Sequence, residues 1–375
     1  MYINSNDIEK VSPYFLRWVI CGGVAASILA GFLRGPLFLG TLESNIGLVY
    51  LNRALTGPAS WFPTKEQDQV VLATAEKWLG RATTRAEDNN VAWRALGVAL
   101  AAGGKEAEAA SAWRAAGLTA QYFIATGEEA WKAQRYEEAL TWYERAVRLE
   151  PGLADGWYHI GFLFQQENQW EQAFQALDRA IELDPGLAGA YIAQAKVLAL
   201  GYGQYEVARV KAEEGLKIAA GDEEILYQAA QFFLAVGNNT RAEELFRKAL
   251  SLGHDNLYVW IGVGQSLFAQ ERFGEALEAF ERASSIQTGT WQDAIANAWL
   301  GRTYVGLGRP HSALSEFELA AQLHPADSDN FVRLGDAYQL IGEEDKASEA
   351  YQQALSVNPG NEWALKRISD LQKGE

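Results

Sequence analysis

The sequence predicts an all-α chain built as a solenoid of stacked helix pairs. Three observations carry this. A pattern of aromatic and small residues returns at a period near 34 residues between positions 90 and 361. Proline is scarce, 9 in 375 residues, as expected for a mostly helical chain whose prolines sit between helices. Hydrophobic residues make up 49% of the chain and include 13 Trp. That is enough for a continuous core in which each unit buries its apolar face against its neighbours.

Taken in order, residues 1–13 form a polar tail ending in Ser12-Pro13. Residues 14–34 follow as a candidate transmembrane signal-anchor helix. Its centre, residues 18–33, is an uncharged apolar run of 16 residues bounded by Arg17 and Arg34. About 20 apolar residues span a bilayer, and Tyr14, Phe15 and Leu16, with both arginines reaching toward the headgroups, extend the run near that length. A cleaved signal peptide and a buried soluble helix are the other two readings of this stretch. A short tail ahead of a signal-anchor commonly stays cytoplasmic, which places the body of the chain outside the cytoplasm.

Residues 35–89 read as a degenerate unit. A first helix around Ile46-Gly47 and Tyr50 is separated from its partner, residues 69–85 with Ala75, Leu79 and Ala82, by an inserted loop. That loop carries two prolines with Trp61 and Phe62, side chains suited either to a lipid interface or to packing over the end of the array.

Eight regular units fill residues 90–361. The clearest spans 153–186, with Trp157, Ile160-Gly161, Phe164, Ala173, Leu177, Ala180 and a closing Pro185. Its neighbours repeat the scheme: Trp93, Leu96-Gly97 and Trp113; Phe123, Gly127, Tyr143 and Pro151; Phe233, Ala242 and Phe246; Trp260, Gly264 and Phe280; Leu300-Gly301, Phe317 and Pro325; Leu334-Gly335, Tyr351 and Pro359. Residues 188–222 have Ala195 in place of the glycine and an insertion around Gly201-Tyr202-Gly203. Small residues let two antiparallel helices approach closely, aromatics fill the gaps between pairs, and proline ends the second helix. Residues 362–375 read as a C-terminal capping helix, with Lys366, Arg367, Asp370 and Gln372 facing out.

This pattern resembles the tetratricopeptide repeat family over about nine-tenths of the chain. The resemblance implies a right-handed α-solenoid of about nine helix pairs, one of them degenerate, behind one transmembrane helix. It also implies a non-catalytic scaffold for protein partners, whose ligands lie along a concave groove lined by the first helix of each pair. Carried over residue by residue, the groove positions are Ile124, Trp131, Tyr158, Phe162, Gln165, Ile192, Lys196, Tyr227, Gln231, Tyr258, Ile261, Gln265, Phe268 and Arg302, with Arg94, Glu128, Arg333 and Asp336 also on first helices. The set of basic and amide residues with which chaperone-binding members hold a terminal carboxylate is missing: Lys196 stands beside Ala193 and Gln228.

Composition narrows the function classes. Formal charge is −16, and Lys10, Arg17 and Arg34 against Asp7 and Glu9 leave residues 1–34 slightly basic, so the acidity belongs to the repeats. Such a body argues against nucleic acid, whose phosphates need clustered Lys and Arg. The only cysteine, Cys21, excludes an intrachain disulfide and a zinc cluster. His159, His254, His311 and His324 are scattered over three units and fall in no metal or catalytic motif. No P-loop, nucleophile elbow or paired-carboxylate motif is present, so the sequence predicts no enzyme, no cofactor, no metal and no small-molecule substrate. Two readings remain: a membrane-tethered scaffold that holds a partner's peptide or helix in the groove, for which resemblance to membrane-anchored bacterial tetratricopeptide proteins implies a setting in cell-envelope assembly or export, or a structural subunit of a membrane-associated complex that meets its partners through the convex face or the array ends.

Overall fold

The computed structural model describes residues 36–56, 65–219, 221–286 and 288–374. The predicted membrane segment 14–34 and the loop residues Trp61 and Phe62 lie outside them. Among the described residues no helix is long and apolar enough to cross a membrane. These residues form 19 α-helices and no strand, divided between two compact units, one ending at Leu163 and one beginning at Phe164.

The first unit contains α1 (Pro36–Thr56), α2 (Lys65–Arg85), α3 (Asn90–Ala102), α4 (Glu106–Ala115), α5 (Ala120–Lys132), α6 (Tyr136–Leu149) and most of α7 (Ala154–Gln166). In the segment predicted as a degenerate unit, α2 starts at Lys65, four residues before the predicted start. α1 and α2 pack along much of their length, and Leu51, Ala75, Leu79 and Ala99 form a small core there.

The second unit contains α8 (Trp170–Leu183), α9 (Ala188–Lys196) with a π-helical turn (Val197–Gly201), α10 (Tyr205–Ile218), α11 (Glu223–Ala235), α12 (Asn239–Ser251), α13 (Leu257–Ala269), α14 (Phe273–Ser285), α15 (Asp293–Gly306), α16 (Pro310–Leu323), α17 (Ser328–Leu340), α18 (Glu344–Val357) and α19 (Glu362–Gly374). Its main core runs from Ile192 to Leu300 through Phe232, Phe233, Phe246 and Phe280. Each fully buried Phe contributes roughly 1.5–3 kcal/mol through area removed from water.

Local chemistry sets the pairs. The motif glycine of a first helix faces the aromatic of its second helix so closely that a Cβ on Gly97 would lie 2.2 Å from Trp113 Nε1. One on Gly335 would lie 2.4 Å from Tyr351 Cε1. In the pair α9–α10 the contact is inverted. Ala195 occupies the first-helix position, and Gly215 on the second helix admits Ile192 and Tyr191 within 3.0 Å of its would-be Cβ. First helices begin under side-chain caps from Asn89, Thr119, Asp222, Asn256, Asp327 and Asn361. The first motif aromatic ties its helix back to the preceding turn: Trp157 Nε1 donates to Pro151 O at 3.1 Å, and Trp260 Nε1 to Asp255 Oδ1 at 2.6 Å.

The turn inside each regular pair uses one left-handed residue. It is glycine at Gly104, Gly203, Gly237, Gly308 and Gly342, but Gln134, Asn168 and Glu271 adopt the same conformation at φ 60°, 57° and 59°. The predicted insertion near Gly201 is absorbed by the π-helical turn, after which the Tyr202 hydroxyl donates to Glu171 at 2.8 Å.

Candidate partner-binding surface

Each unit presents the predicted groove residues differently. In the first unit, α5 and α7 bring Trp131, Tyr158 and Phe162 together. The Trp131 ring meets Phe162 edge-on at 6.0 Å, and Tyr158 lies 6.4 Å from Phe162. Trp131 remains 40% exposed. Beside them His159 stacks on Tyr143 at 4.6 Å, with its Nε2 3.8 Å from Glu128. Burial holds His159 below the ordinary histidine range, with Glu128 and Asp155 opposing. Burial, reinforced by Glu128, pushes the Tyr143 hydroxyl up to about 12. This histidine is a partly exposed ring packed on Tyr143.

In the second unit the first helices form a row: α9 touches α11, α11 touches α13, α13 touches α15 and α15 touches α17. Tyr227 on α11 accepts a 2.6 Å hydrogen bond from Gln231 and packs on His254 at 5.4 Å. Its hydroxyl is pushed up to about 12, chiefly by burial and then by Glu224 and Tyr258. Tyr258 is exposed on α13, and Gln265 and Phe268 are partly exposed on the same helix. Lys196 is partly exposed, and burial pulls its ammonium below the ordinary lysine range against the attraction of Glu224.

Four predicted groove residues are corrected. Ile124 (2% exposed), Ile192 (1%) and Ile261 (5%) are core residues. Each sits on the flank of its helix that faces neighbouring helices, as Ile192 does against Gly215, where burial removes its apolar surface from water. Gln165 is 8% exposed, and its Oε1 is buried without a hydrogen-bond partner, so it offers no contact to a partner. Arg367, predicted to face solvent on α19, instead turns to α17 and pairs with Asp336 at 2.8 Å.

The row ends in an open cleft of about 570 Å³ between α13, α15, α16, α17 and α19. Phe268, Val305, Phe317 and Leu340 supply its apolar lining, and Arg302, Arg333, Asp336 and Arg367 its charge. The Arg302 guanidinium lies 4.0 Å over the Trp299 ring and 5.2 Å over Phe268, a cation–π arrangement that fixes its direction. Burial and the nearby charge of Arg333 both hold Arg302 below the ordinary guanidinium range. A second cavity of about 180 Å³ lies beyond Arg302 and Arg333, against Trp299, His324 and Asn330. Trp299 and Leu340 escaped the sequence prediction. Trp299 stands immediately before the Leu300-Gly301 motif pair and reads as packing, yet it stacks on Phe280 at 5.5 Å and also carries Arg302.

Stacked antiparallel helix pairs with a side-chain-rich row of first helices define a class of helical repeat protein. The repeats themselves are tetratricopeptide repeats: family models described as TPR repeat and tetratricopeptide repeat match residues 131–168, 154–187, 227–290 and 328–361. The chain is 30% identical over 171 residues to BBSome complex member BBS4 of Mus musculus, an alignment covering 44% of this chain and 32% of that protein. It is 28% identical over 144 residues to Cellulose synthase operon protein C of Xanthomonas axonopodis pv. citri, covering 37% of this chain and 9% of that one. The chain thus spans a third or less of the length of these curated relatives. Among solved structures, human IFIT1 in a dimer with PPP-AAAA is similar at a TM-score of 0.56 and 17% identity, over 88% of this chain and 84% of that one. A tetratricopeptide repeat protein from Parabacteroides merdae is similar at 0.50 and 16% identity, over 68% and 98%. These likenesses show the fold.

Proposed function

We propose that the protein is a non-catalytic, membrane-tethered scaffold that holds an extended segment or helix of a protein partner on the face built from its first helices. Tetratricopeptide repeats generally mediate protein–protein interaction, and the coarser part of the reading rests on that. The observation that carries the finer part is the row of touching first helices in the second unit. There Tyr227, Gln231, Tyr258, Gln265 and Phe268 offer aromatic area beside amide donors and acceptors, and the row runs into the open cleft. Rigid amphipathic aromatics flanked by hydrogen-bonding groups favour binding of a peptide over solvent. The tether rests on the apolar segment 14–34, which would place the repeats on the outer side of the membrane and raise the effective concentration of a co-resident partner.

One observation favours the alternative of a structural subunit. Leu200, Tyr202, Tyr205, Val207 and Val210 are all exposed within eleven residues, from the π-helical turn into α10, and exposed apolar clusters commonly mark contact surfaces.

In-cell crosslinking and capture separates the two. Full-length protein is compared with a Tyr258→Glu/Phe268→Glu variant and with a Val207→Glu/Val210→Glu variant at matched membrane levels. Loss of a partner from the first variant alone supports the scaffold. Loss from the second alone supports the assembly subunit and refutes docking on the first helices.

A further inference from the structure

The cleft at the end of the row differs in charge from the rest of the molecule. Three guanidinium groups, Arg302, Arg333 and Arg367, face it against one carboxylate, Asp336, in a chain whose net charge is −16. That carboxylate is already engaged. Arg367 Nε lies 2.8 Å from it, and the Tyr351 hydroxyl donates to it at 2.8 Å. Arg333 donates to Asn330 Oδ1 at 3.1 Å and stands 3.9 Å from Asp329. Arg302 has no carboxylate within 4.0 Å among the described residues; only aromatic rings hold it. A ring-stacked guanidinium keeps its planar fork of donors directed and free for a carboxylate, where it can form two parallel hydrogen bonds.

We infer that this cleft receives an acidic side chain of the partner's bound segment, with a large apolar side chain of the same segment seated beside it on Phe268, Val305 and Leu340. The inference rests on the first-helix face being the docking face, and it names the chemistry of what docks there. Charge complementarity supplies the acidic member, because the lining carries two more positive groups than negative ones. The exposed Leu340 and the partly exposed Phe268 supply the seat for the apolar member. A polyanion such as nucleic acid does not fit. It needs a run of basic groups, whereas the cleft has one unengaged fork within an acidic body. The cleft is open, so a chain can pass through it, and the carboxylate is that of a Glu or Asp within the segment.

The test is a peptide array probed with the full-length protein. Short acetylated and amidated peptides carry Phe-Glu-Leu, Phe-Gln-Leu, Phe-Lys-Leu or Phe-phosphoserine-Leu at their centres, within varied flanks. Hits are measured by fluorescence anisotropy against the parent, Arg302→Gln and Tyr258→Glu, with helical circular dichroism checking that each variant is folded. The expected result is preference for the Glu peptide over its Gln partner by about tenfold or more. That preference should shrink with added salt and disappear in Arg302→Gln, while the Gln peptide binds parent and variant alike. Equal binding of Glu and Gln peptides, a preference that survives Arg302→Gln, or tighter binding of phosphoserine than of Glu overturns the acidic-segment inference. In those outcomes binding that is still lost in Tyr258→Glu leaves the scaffold reading standing. An array with no hit sensitive to Tyr258→Glu overturns both.

Discussion

Replacing Glu271 with glycine should stabilise the second unit by about 0.5–1 kcal/mol. Glu271 ends the turn between α13 and α14 at φ 59°. A left-handed conformation costs an L-residue roughly 1–2 kcal/mol, and the extra unfolded-state freedom of glycine returns about 0.5–1 kcal/mol of that. The turn's hydrogen bonds are main-chain and survive the change. Glu271 N donates to Phe268 O at 2.9 Å and Arg272 N to Leu267 O at 3.0 Å, as Gly308 N donates to Val305 O and Arg309 N to Tyr304 O in the turn that already has glycine. The reverse substitution, Gly308→Gln, should cost a similar amount. A Cβ there meets nothing within 4 Å, so backbone conformation is the whole penalty. Native-state hydrogen exchange read by mass spectrometry suits the question, because a repeat array opens locally. Amides of α13 and α14 should gain protection by a factor of about 2–5 in Glu271→Gly, since 1.4 kcal/mol is tenfold. Unchanged or lower protection in Glu271→Gly, together with no loss in Gly308→Gln, would refute the argument that φ governs these turns. Gln134→Gly should behave like Glu271→Gly. Asn168→Gly should gain less, because asparagine tolerates this region.

Other expectations follow from the same packing. Gly335→Ala should lower stability by about 1–3 kcal/mol in thermal unfolding, because the new Cβ falls 2.4 Å from Tyr351, whose hydroxyl is fixed on Asp336; a Gly335→Ala/Tyr351→Leu double variant should recover part of the loss. Asn361→Ala should cost about 1–2 kcal/mol and raise exchange in α19, since this buried amide donates to Ser328 and Asp329 on α17 and caps Ala364 N. Glu243 gives a pH signature. Burial pushes its carboxyl up, but hydrogen bonds from Gln270 and Arg247 and the charge of Arg272 prevail and hold it below the usual range. Its contribution is therefore complete above the unfolded value of about 4.3 and is lost as pH falls through the lower folded value. Glu243→Gln should be less stable than the parent at neutral pH by roughly 1–3 kcal/mol, and the gap should close on acidification; a constant gap between pH 7 and 3 would contradict the assignment.

The repeats were legible because helix pairing here depends on a few residue types at fixed spacing. Gly97 opposite Trp113 and Gly335 opposite Tyr351 are steric requirements that appear directly as letters in the sequence. The docking face was less legible. Ile124, Ile192 and Ile261 stand close to exposed positions along their helices, and which flank of a helix is covered depends on how neighbouring helices cross it, which spacing alone does not encode. Arg367 was misplaced for a similar reason. A charge on a terminal helix reads as solvated, whereas Asp336 and the Tyr351 hydroxyl create a polar site that draws it inward. Trp299 was hidden by serving two purposes at once, packing on Phe280 and carrying Arg302.

The π-helical turn after α9 shows how this architecture takes up a change in length. The left-handed turn residues Asn168, Gly203 and Gly237 are separated by 35 and then 34 positions, so one surplus residue has been swallowed before α10 begins. The widened turn lets α9 end later while its neighbours keep their phase. A single-residue insertion in the last turn of a first helix should therefore be silent for every pair downstream. The same insertion in the middle of a second helix would rotate everything after it by about 100°. The chain thus has sites where its length can drift while its pairing holds.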